Sequence, residues 1–208
     1  MKFLFIGNSH TYYNDMPHLF QRICEENGMD AEVTMLAHGG KGLDFHRAEP
    51  EVRFNILYGN YDYIILQHLA HPFDDEDMMF ESAAEIDRYI QNTRSKKVLC
   101  MTWAQKNNPS GQARMTKAYK ELSKKLSGSV VAPVGIAWWR FLEGNPPVDL
   151  FDSDGRHASP IGSQLVAYTL FSTMFGRRAD AKGSLNQSLS QTAFETVCEF
   201  QKNSHDHP

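Results

Sequence analysis

The chain has 208 residues, and its 21 Lys and Arg against 25 Asp and Glu give a formal net charge of −4 at neutral pH. This length suits one domain, and 41% apolar with 22% charged residues is ordinary globular composition, which excludes disorder, collagen and coiled coil as overall classes. The mild negative charge comes without a basic run, so we expect no nucleic-acid partner and no membrane partner. A single domain over residues 1–208 is predicted.

The cysteines and the first residues of the chain indicate the cellular compartment in which the protein is expected. Cys24, Cys100 and Cys198 are odd in number and far apart, which indicates neither a disulfide framework nor a thiolate zinc site. No apolar run approaches the roughly 20 residues that span a bilayer. The first residues, MKFLFIG, lead directly into a Gly-Asn-Ser turn without the features of a signal peptide. We therefore expect a cytoplasmic protein, unless a leader peptide has been removed.

Short apolar runs of strand length alternate with longer stretches of helical period. In chain order, the pattern predicts a strand at 2–6, a helix at 15–26, a strand at 31–37, a helix at 48–58, a strand at 61–67, a helix at 76–94, a strand at 97–103, a helix at 112–126, a strand at 130–134, an aromatic turn at 137–141, a buried helix at 160–175 and a helix at 188–202. This alternation is typical of an α/β fold with a parallel, doubly wound sheet. The tail at 203–208 is expected to be disordered.

Several helix ends carry their own signals. Asn14 or Asp15 is the expected cap of the first helix, and Gly28 is expected to close it. Ser159 followed by a proline is a typical helix start, and Gly176 is expected to end that helix.

Ligands of an open α/β sheet bind beyond the carboxyl ends of the strands, so the residues after each predicted strand are the candidates for a site. These residues supply a hydroxyl, imidazoles, an amide, glycine N–H groups and carboxylates, which are the parts of a serine hydrolase. In chain order they are Ser9 and His10, the HGGKG loop with Gly42, Gln67 and His68, Trp103, and the Asp152, Asp154 and His157 of a late loop.

The segment Asp154-Gly-Arg-His157 is the most informative of these. A histidine acts as a general base towards serine when a carboxylate holds its other nitrogen in the right tautomer, and Gly155 lets the loop turn between the two. The alternative is a loop carboxylate and a surface histidine beside a helix cap. Ser9 has an alternative of its own, as a turn or capping serine. The second glycine of G-x-S-x-G is missing, so the segment is not the nucleophile elbow of an α/β-hydrolase.

Together these residues resemble the SGNH (GDSL-like) hydrolase family. Gly7-Asn8-Ser9 is similar to its first block, Gly42 to the glycine of its second block, and Asp154 with His157 to its fifth block. The third block usually supplies an Asn, and Gln67 is the amide offered here. The resemblance extends over 6–175, which is nearly the whole chain.

The resemblance implies a flavodoxin-like three-layer α/β/α sandwich with strand order 2-1-3-4-5, no cofactor and no metal. It also implies that the protein hydrolyses esters through an acyl-enzyme. Ser9 would be the nucleophile, His157 the base and Asp154 the residue that orients the imidazole. The N–H groups of Ser9 and Gly42 and the amide of Gln67 would form the oxyanion hole.

The expected substrate is a small acyl ester, such as an acetyl group on a carbohydrate, because related enzymes deacetylate carbohydrates. Polar and aromatic side chains on the same loops are the expected substrate contacts, namely His10, Tyr12, His68, His71 and Trp103. Two alternatives stay open. One is a glycan-binding module that kept the fold and lost the chemistry. The other is a metal-dependent hydrolase using the histidines, although no H-x-x-x-H spacing on a helix supports it. The oligomeric state is left open.

Overall fold

The computed structural model describes residues 1–205. The strands are β1 (Lys2–Gly7), β2 (Glu32–Ala37), β3 (Tyr63–Leu66), β4 (Lys96–Cys100) and β5 (Ser129–Ala132). The helices are α1 (Ser9–Tyr12), α2 (Met16–Glu26), α3 (Leu43–His46), α4 (Pro50–Tyr58), α5 (Glu76–Ile90), α6 (Gly111–Lys125), α7 (Val134–Gly144), α8 (Pro160–Phe175) and α9 (Ser184–His205), with a 3-10 turn at Tyr13–Asp15. None of the helices in the described part of the chain is both long and apolar enough for a membrane span.

The strands form one parallel sheet in the order β2-β1-β3-β4-β5, so the predicted order is confirmed. Ile6 of β1 pairs with Leu36 on one side and Leu66 on the other, which places β1 inside the sheet. Because all strands run the same way, their carboxyl ends lie at one edge. The loops that follow β1, β2 and β3 therefore meet there, as the site prediction requires.

Helices cover both faces of the sheet, which makes the three layers that the resemblance implies. Side chains alternate along a strand, so Phe3 and Phe5 point into one apolar cluster with α2, α7, α8 and α9. Leu4 and Ile6 point into the other, against α4, α5 and α6. This two-sided burial explains why β1 and β3 read as almost continuous apolar runs in the sequence.

Some predicted elements were wrong in kind or extent. The aromatic turn at 137–141 is part of helix α7, because Ala137, Trp138 and Phe141 recur at helical spacing and bury one face. Helix α9 begins at Ser184, four residues before the predicted start, and continues to His205. The tail predicted to be disordered therefore begins inside a helix, and its last residues, 206–208, lie outside the described part of the chain.

The caps of α8 agree with the sequence, and those of α2 agree in position but lack the N-terminal side-chain hydrogen bond. Ser159 Oγ accepts the N–H of Gly162, and Gly176 ends α8 in the left-handed region at φ 63°. Gly28 likewise has φ 79° just beyond α2. Asp15 occupies the cap position of α2 without a side-chain cap bond, and the Asn14 amide is directed elsewhere.

Candidate active site

A tight connection from β1 to α1 presents Ser9 at the sheet edge. A Cβ atom at Gly7 would lie 3.1 Å from Cβ of Gln67 and nearer still to Oγ1 of Thr11, so only glycine fits there. Asn8 then caps α1, with its Oδ1 accepting the N–H of His10 at 3.0 Å. Ser9 is the first residue of α1, so its own N–H has no acceptor within that helix.

The three predicted catalytic side chains meet in one hydrogen-bonded chain. Nε2 of His157 lies 2.8 Å from Oγ of Ser9, and Nδ1 of His157 lies 2.5 Å from Oδ2 of Asp154. Oδ1 of Asp154 also accepts the N–H groups of Arg156 and His157, at 2.8 Å and 2.9 Å. The structure thus brings together a hydroxyl, an imidazole and a carboxylate in the order that general-base catalysis needs.

The Asp154 carboxylate is partly exposed, with 41% of its side-chain surface accessible. Its partial desolvation acts to raise the carboxyl pKa. The hydrogen bonds from the His157 ring and from the two backbone N–H groups outweigh that effect and lower the pKa of Asp154 to about 2. The carboxylate of Asp154 is therefore ionised at neutral pH.

Aromatic rings enclose the His157 imidazole. The Tyr13 ring stacks on it with centroids 4.0 Å apart and an interplanar angle of 11°. The His10 ring lies 4.9 Å away at 31°. Behind His10 is Trp103, at a centroid distance of 5.2 Å.

Trp103 is fully buried and stacks on Trp138, with centroids 4.1 Å apart and an angle of 2°. Its Nε1–H donates to the carbonyl of Arg156 at 2.8 Å. The prediction that Trp103 contacts substrate was therefore wrong. Strand β4 ends at Cys100, three residues before Trp103. The Trp103 ring therefore lies in the core and not at the rim of the site.

A pocket of about 210 Å³ opens beside Ser9. Its walls include Ser9, His10, Gly40, Leu69, His71 and Arg156. Of the predicted substrate contacts, His10 and His71 line this pocket. The Tyr12 hydroxyl lies against Gly39, the residue before Gly40 of the pocket wall. A Cβ atom at Gly39 would be 2.8 Å from that hydroxyl. His68 is buried, and its Nδ1 accepts the N–H of Leu43 at 3.1 Å.

Burial keeps the histidines around Ser9 neutral. Desolvation, reinforced by the neighbouring His71 and His157, lowers the pKa of His10 to about 3. Desolvation likewise lowers the pKa of His68 and of His71 to about 4. The Nε2 atoms of His10 and His71 are buried and have no hydrogen-bond partner among the described residues. The pocket therefore presents the neutral imidazoles of His10 and His71 to a ligand.

The contacts of Gln67 do not favour its predicted role as an oxyanion donor. Its Oε1 accepts the N–H of Asn8 and the hydroxyl of Thr11, both at 2.9 Å, and its amide donates to the His68 carbonyl. The Asn8 N–H can only donate, so the oxygen of the Gln67 amide has to face it. Both ends of this buried side chain are thus used to hold the turn before Ser9.

Gly42 is buried at the N-cap position of α3. The Nδ2 atom of Asn8 donates to the carbonyl of Lys41 at 2.8 Å and so fixes the peptide that leads into Gly42. A Cβ atom at Gly42 would lie 2.9 Å from Cε1 of His68, which requires glycine at this contact. Its role as an oxyanion donor stays a prediction.

Four residues of the pocket wall were not among the predicted site residues, namely Gly40, Leu69, Ala70 and Arg156. Each of them is within two positions of a predicted site residue in the sequence. Arg156 also borders a second, polar pocket of about 300 Å³, together with Gln105 and Asn107. Its position between Asp154 and His157 in the sequence was the signal that could have found it.

No group of three His, Cys, Asp or Glu side chains in residues 1–205 is arranged to hold a metal ion. The His10 ring instead meets the His71 ring edge-on and lies tilted against the rings of Trp103 and His157.

No family model and no curated protein matches this chain. Solved structures do. A DUF4886 family protein from Bacteroides uniformis is similar over 95% of both chains, with a TM-score of 0.77 and 18% identity. A lipolytic G-D-S-L family member from Veillonella parvula covers 85% of this chain and 99% of its own, with a TM-score of 0.65 and 13% identity. A carbohydrate esterase family 3 structure from Talaromyces cellulolyticus covers 85% and 97%, with a TM-score of 0.63 and 13% identity.

At these identities the likeness establishes the fold. This chain has the α/β fold of the GDSL-type lipolytic and esterase structures, as its resemblance to SGNH hydrolases implied.

Proposed function

We propose that this protein is a serine esterase that hydrolyses small acyl esters through an acyl-enzyme. The observation that carries the proposal is the hydrogen-bonded chain from Ser9 through His157 to Asp154 at the carboxyl edge of the sheet. The GDSL-type fold of its structural neighbours supports the same chemistry. Fold alone does not establish activity, so the proposal depends on the geometry of the site.

In the first step, His157 takes the proton of Ser9 as Oγ attacks the acyl carbonyl. Asp154 holds the proton-bearing Nδ1 and stabilises the imidazolium that forms. The imidazolium then gives its proton to the leaving alcohol. Water repeats the attack on the acyl-enzyme and regenerates the serine.

The developing oxyanion needs donors, and the first N–H of α1, on Ser9, is suited to be one. The N–H of Gly42 is the second in this proposal. Each such donor contributes about 3 kcal/mol to lowering the barrier in comparable sites. Gln67 is not among the donors proposed here, because its side chain is buried and one of its two amide N–H groups donates to the His68 carbonyl.

The pocket supports a short acyl group. Its volume of about 210 Å³, bounded by Leu69, Ala70 and three imidazoles, suits an acyl chain of a few carbons. The adjoining polar pocket at Gln105 and Asn107 suits a hydroxylated alcohol such as a sugar. We therefore propose an acetylated carbohydrate as the substrate class, in keeping with the carbohydrate esterase among the structural neighbours.

The decisive experiment compares hydrolysis of p-nitrophenyl acetate, p-nitrophenyl octanoate and an acetylated sugar by the wild type and three variants. Ser9→Ala and His157→Ala are expected to lower kcat by several orders of magnitude with little change in Tm. His18→Ala, an exposed histidine on α2, is the matched control and retains full activity. The acetyl ester should be hydrolysed faster than the octanoyl ester.

Labelling with a serine-directed phosphonate separates this proposal from a glycan-binding module. Mass spectrometry should locate the adduct on Ser9, and the label should be absent in Ser9→Ala. A wild-type protein that neither hydrolyses these esters nor accepts the label overturns the proposal. Hydrolysis that is abolished by a chelator would favour the metal-dependent alternative.

A further inference from the structure

The turn between α1 and α2 has an unusual backbone. Asn14 and Asp15 are consecutive non-glycine residues in the left-handed region, with φ of 53° and 56°. This conformation is unfavourable for residues with a Cβ atom, and Asn tolerates it best. Two such residues in succession persist only where surrounding contacts hold them. The contacts that hold this turn therefore indicate the structural role of its conformation.

The Asn14 amide binds the loop that carries the imidazole. Nδ2 of Asn14 donates to the carbonyl of Ala158 at 2.8 Å and to Oγ of Ser163 at 2.9 Å. Oγ of Ser163 in turn donates to the carbonyl of Tyr13 at 3.3 Å. Ala158 directly follows His157, so this ring of hydrogen bonds ties the helix that begins with Ser9 to the segment that holds its base.

The preceding residue contacts the imidazole itself. The Tyr13 ring is nearly parallel to the His157 ring at 4.0 Å, and His10 lies 4.9 Å from His157. The ring nitrogens of His157 are directed to Ser9 and Asp154. Stacking restrains the tilt of the imidazole plane, and the hydrogen bonds restrain the rotation of the ring within that plane.

Helix capping does not account for the strained turn. Asp15 stands at the cap position of α2 without a side-chain hydrogen bond to the helix. The polar contacts of Asn14 instead cross to Ala158 and Ser163, 144 and 149 positions along the chain. The interactions that hold the turn are therefore those with the end of the His157 loop and with the first turn of α8.

We infer that Tyr13 and Asn14 are positioning residues that hold His157 in hydrogen-bonding register with Ser9. The inference rests on the proposed function and adds two residues to it. Small displacements of a catalytic group reduce rates strongly, so loss of either contact should appear in kcat. Substrate affinity should change little, because neither residue is among those that line the pocket.

Asn60 offers a matched control for Asn14. It is also a non-glycine residue with positive φ, at 54°, and its Nδ2 also donates to a backbone carbonyl, that of Tyr58. It precedes β3 and thus lies at the amino edge of the sheet, away from Ser9. Tyr13→Phe is the matched control for Tyr13→Leu, because it keeps the stacking ring.

The experiment measures kcat, KM and Tm with p-nitrophenyl acetate for Asn14→Ala, Asn60→Ala, Tyr13→Leu and Tyr13→Phe. Asn14→Ala and Tyr13→Leu are expected to lower kcat about ten- to a hundredfold with KM within about twofold of wild type. Asn60→Ala should lower Tm to a similar degree and leave kcat unchanged. Tyr13→Phe should retain kcat within about twofold.

The proton resonance of the His157 Nδ1–H, assigned by its loss in His157→Ala, is a readout that needs no turnover. It should exchange with water faster in Asn14→Ala than in wild type or Asn60→Ala. Unchanged exchange, or an equal loss of kcat in Asn60→Ala and Asn14→Ala, overturns the inference. If the wild type hydrolyses no ester, the proposed function fails, and the exchange rates still decide whether Asn14 positions His157.

Discussion

Nε2 of His157 lies 2.8 Å from Oγ of Ser9, although 148 positions separate the two residues. Ser9 follows an inner strand of the parallel sheet, and His157 comes from the loop before the buried helix α8. The groups that maintain this contact and the charge state of the rings around it can each be tested by substitution.

Asp154→Asn is expected to lower kcat by roughly 10²- to 10⁴-fold. An amide donor opposite Nδ1 favours the imidazole tautomer whose Nε2 carries the proton, and that tautomer cannot accept the proton of Ser9. The Asn oxygen can still accept the two backbone N–H groups, so Tm should change little. Asp152→Asn, at an exposed carboxylate in the same loop, is the control and should retain activity. Equal rates for both variants would exclude Asp154 from the triad.

Gln67→Leu is expected to lower the free energy of unfolding by about 1–3 kcal/mol, because it leaves the buried Asn8 N–H without an acceptor. Denaturant unfolding measures this change. Thr11→Val, which removes only the hydroxyl donor, should have a smaller effect. A Gln67→Leu protein of unchanged stability but low kcat would contradict the structural role and restore the oxyanion role.

Gly42→Ala is expected to lower both stability and kcat. The added Cβ would lie 2.9 Å from Cε1 and 3.1 Å from Nδ1 of His68, a buried ring with little room to move. Overpacking of this kind typically costs about 1–3 kcal/mol. At Gly144 a Cβ meets nothing within 4 Å, so Gly144→Ala is the control, and thermal unfolding with ester assays compares the two. Normal turnover in Gly42→Ala would show that the Lys41–Gly42 peptide need not be held in place.

Acidification is expected to destabilise the protein. The pKa values of His10, His68 and His71 are lowered to about 3, 4 and 4 in the folded state, against about 6.5 in the unfolded chain. Between these values the unfolded state binds more protons, so stability is present above about pH 6.5 and is lost as the pH falls towards 4. Each histidine contributes at most about 1.4 kcal/mol per pH unit, and His71 less because it is partly exposed.

Thermal unfolding between pH 7 and pH 5 measures this dependence. His68→Asn is the informative variant, because its Oδ1 can accept the Leu43 N–H in place of Nδ1 while removing the titrating group. Its Tm should vary less with pH than that of the wild type. Equal slopes would show that His68 binds its proton as readily in the folded protein as in the unfolded chain.

The sequence by itself determined the architecture and the chemical groups of the candidate triad. Alternating apolar runs specify strands and helices locally, and the pattern from 2–6 to 130–134 therefore predicted the parallel sheet. Ser9, Asp154 and His157 could be selected because each stands in a short motif whose spacing is visible along the chain. Their meeting follows from the geometry of a parallel sheet, in which the strand ends share one edge.

Tertiary structure alone decided what the neighbouring side chains do. Gln67 has the right chemistry for an oxyanion donor, but its oxygen accepts the Asn8 N–H and its nitrogen donates to the His68 carbonyl. Trp103 has the surface of a sugar-binding ring, but packing on Trp138 buries it. The contacts of Asn14 are with residues about 150 positions away. Hydrogen-bond partners and burial depend on which remote segments approach one another, and local sequence patterns do not contain that information.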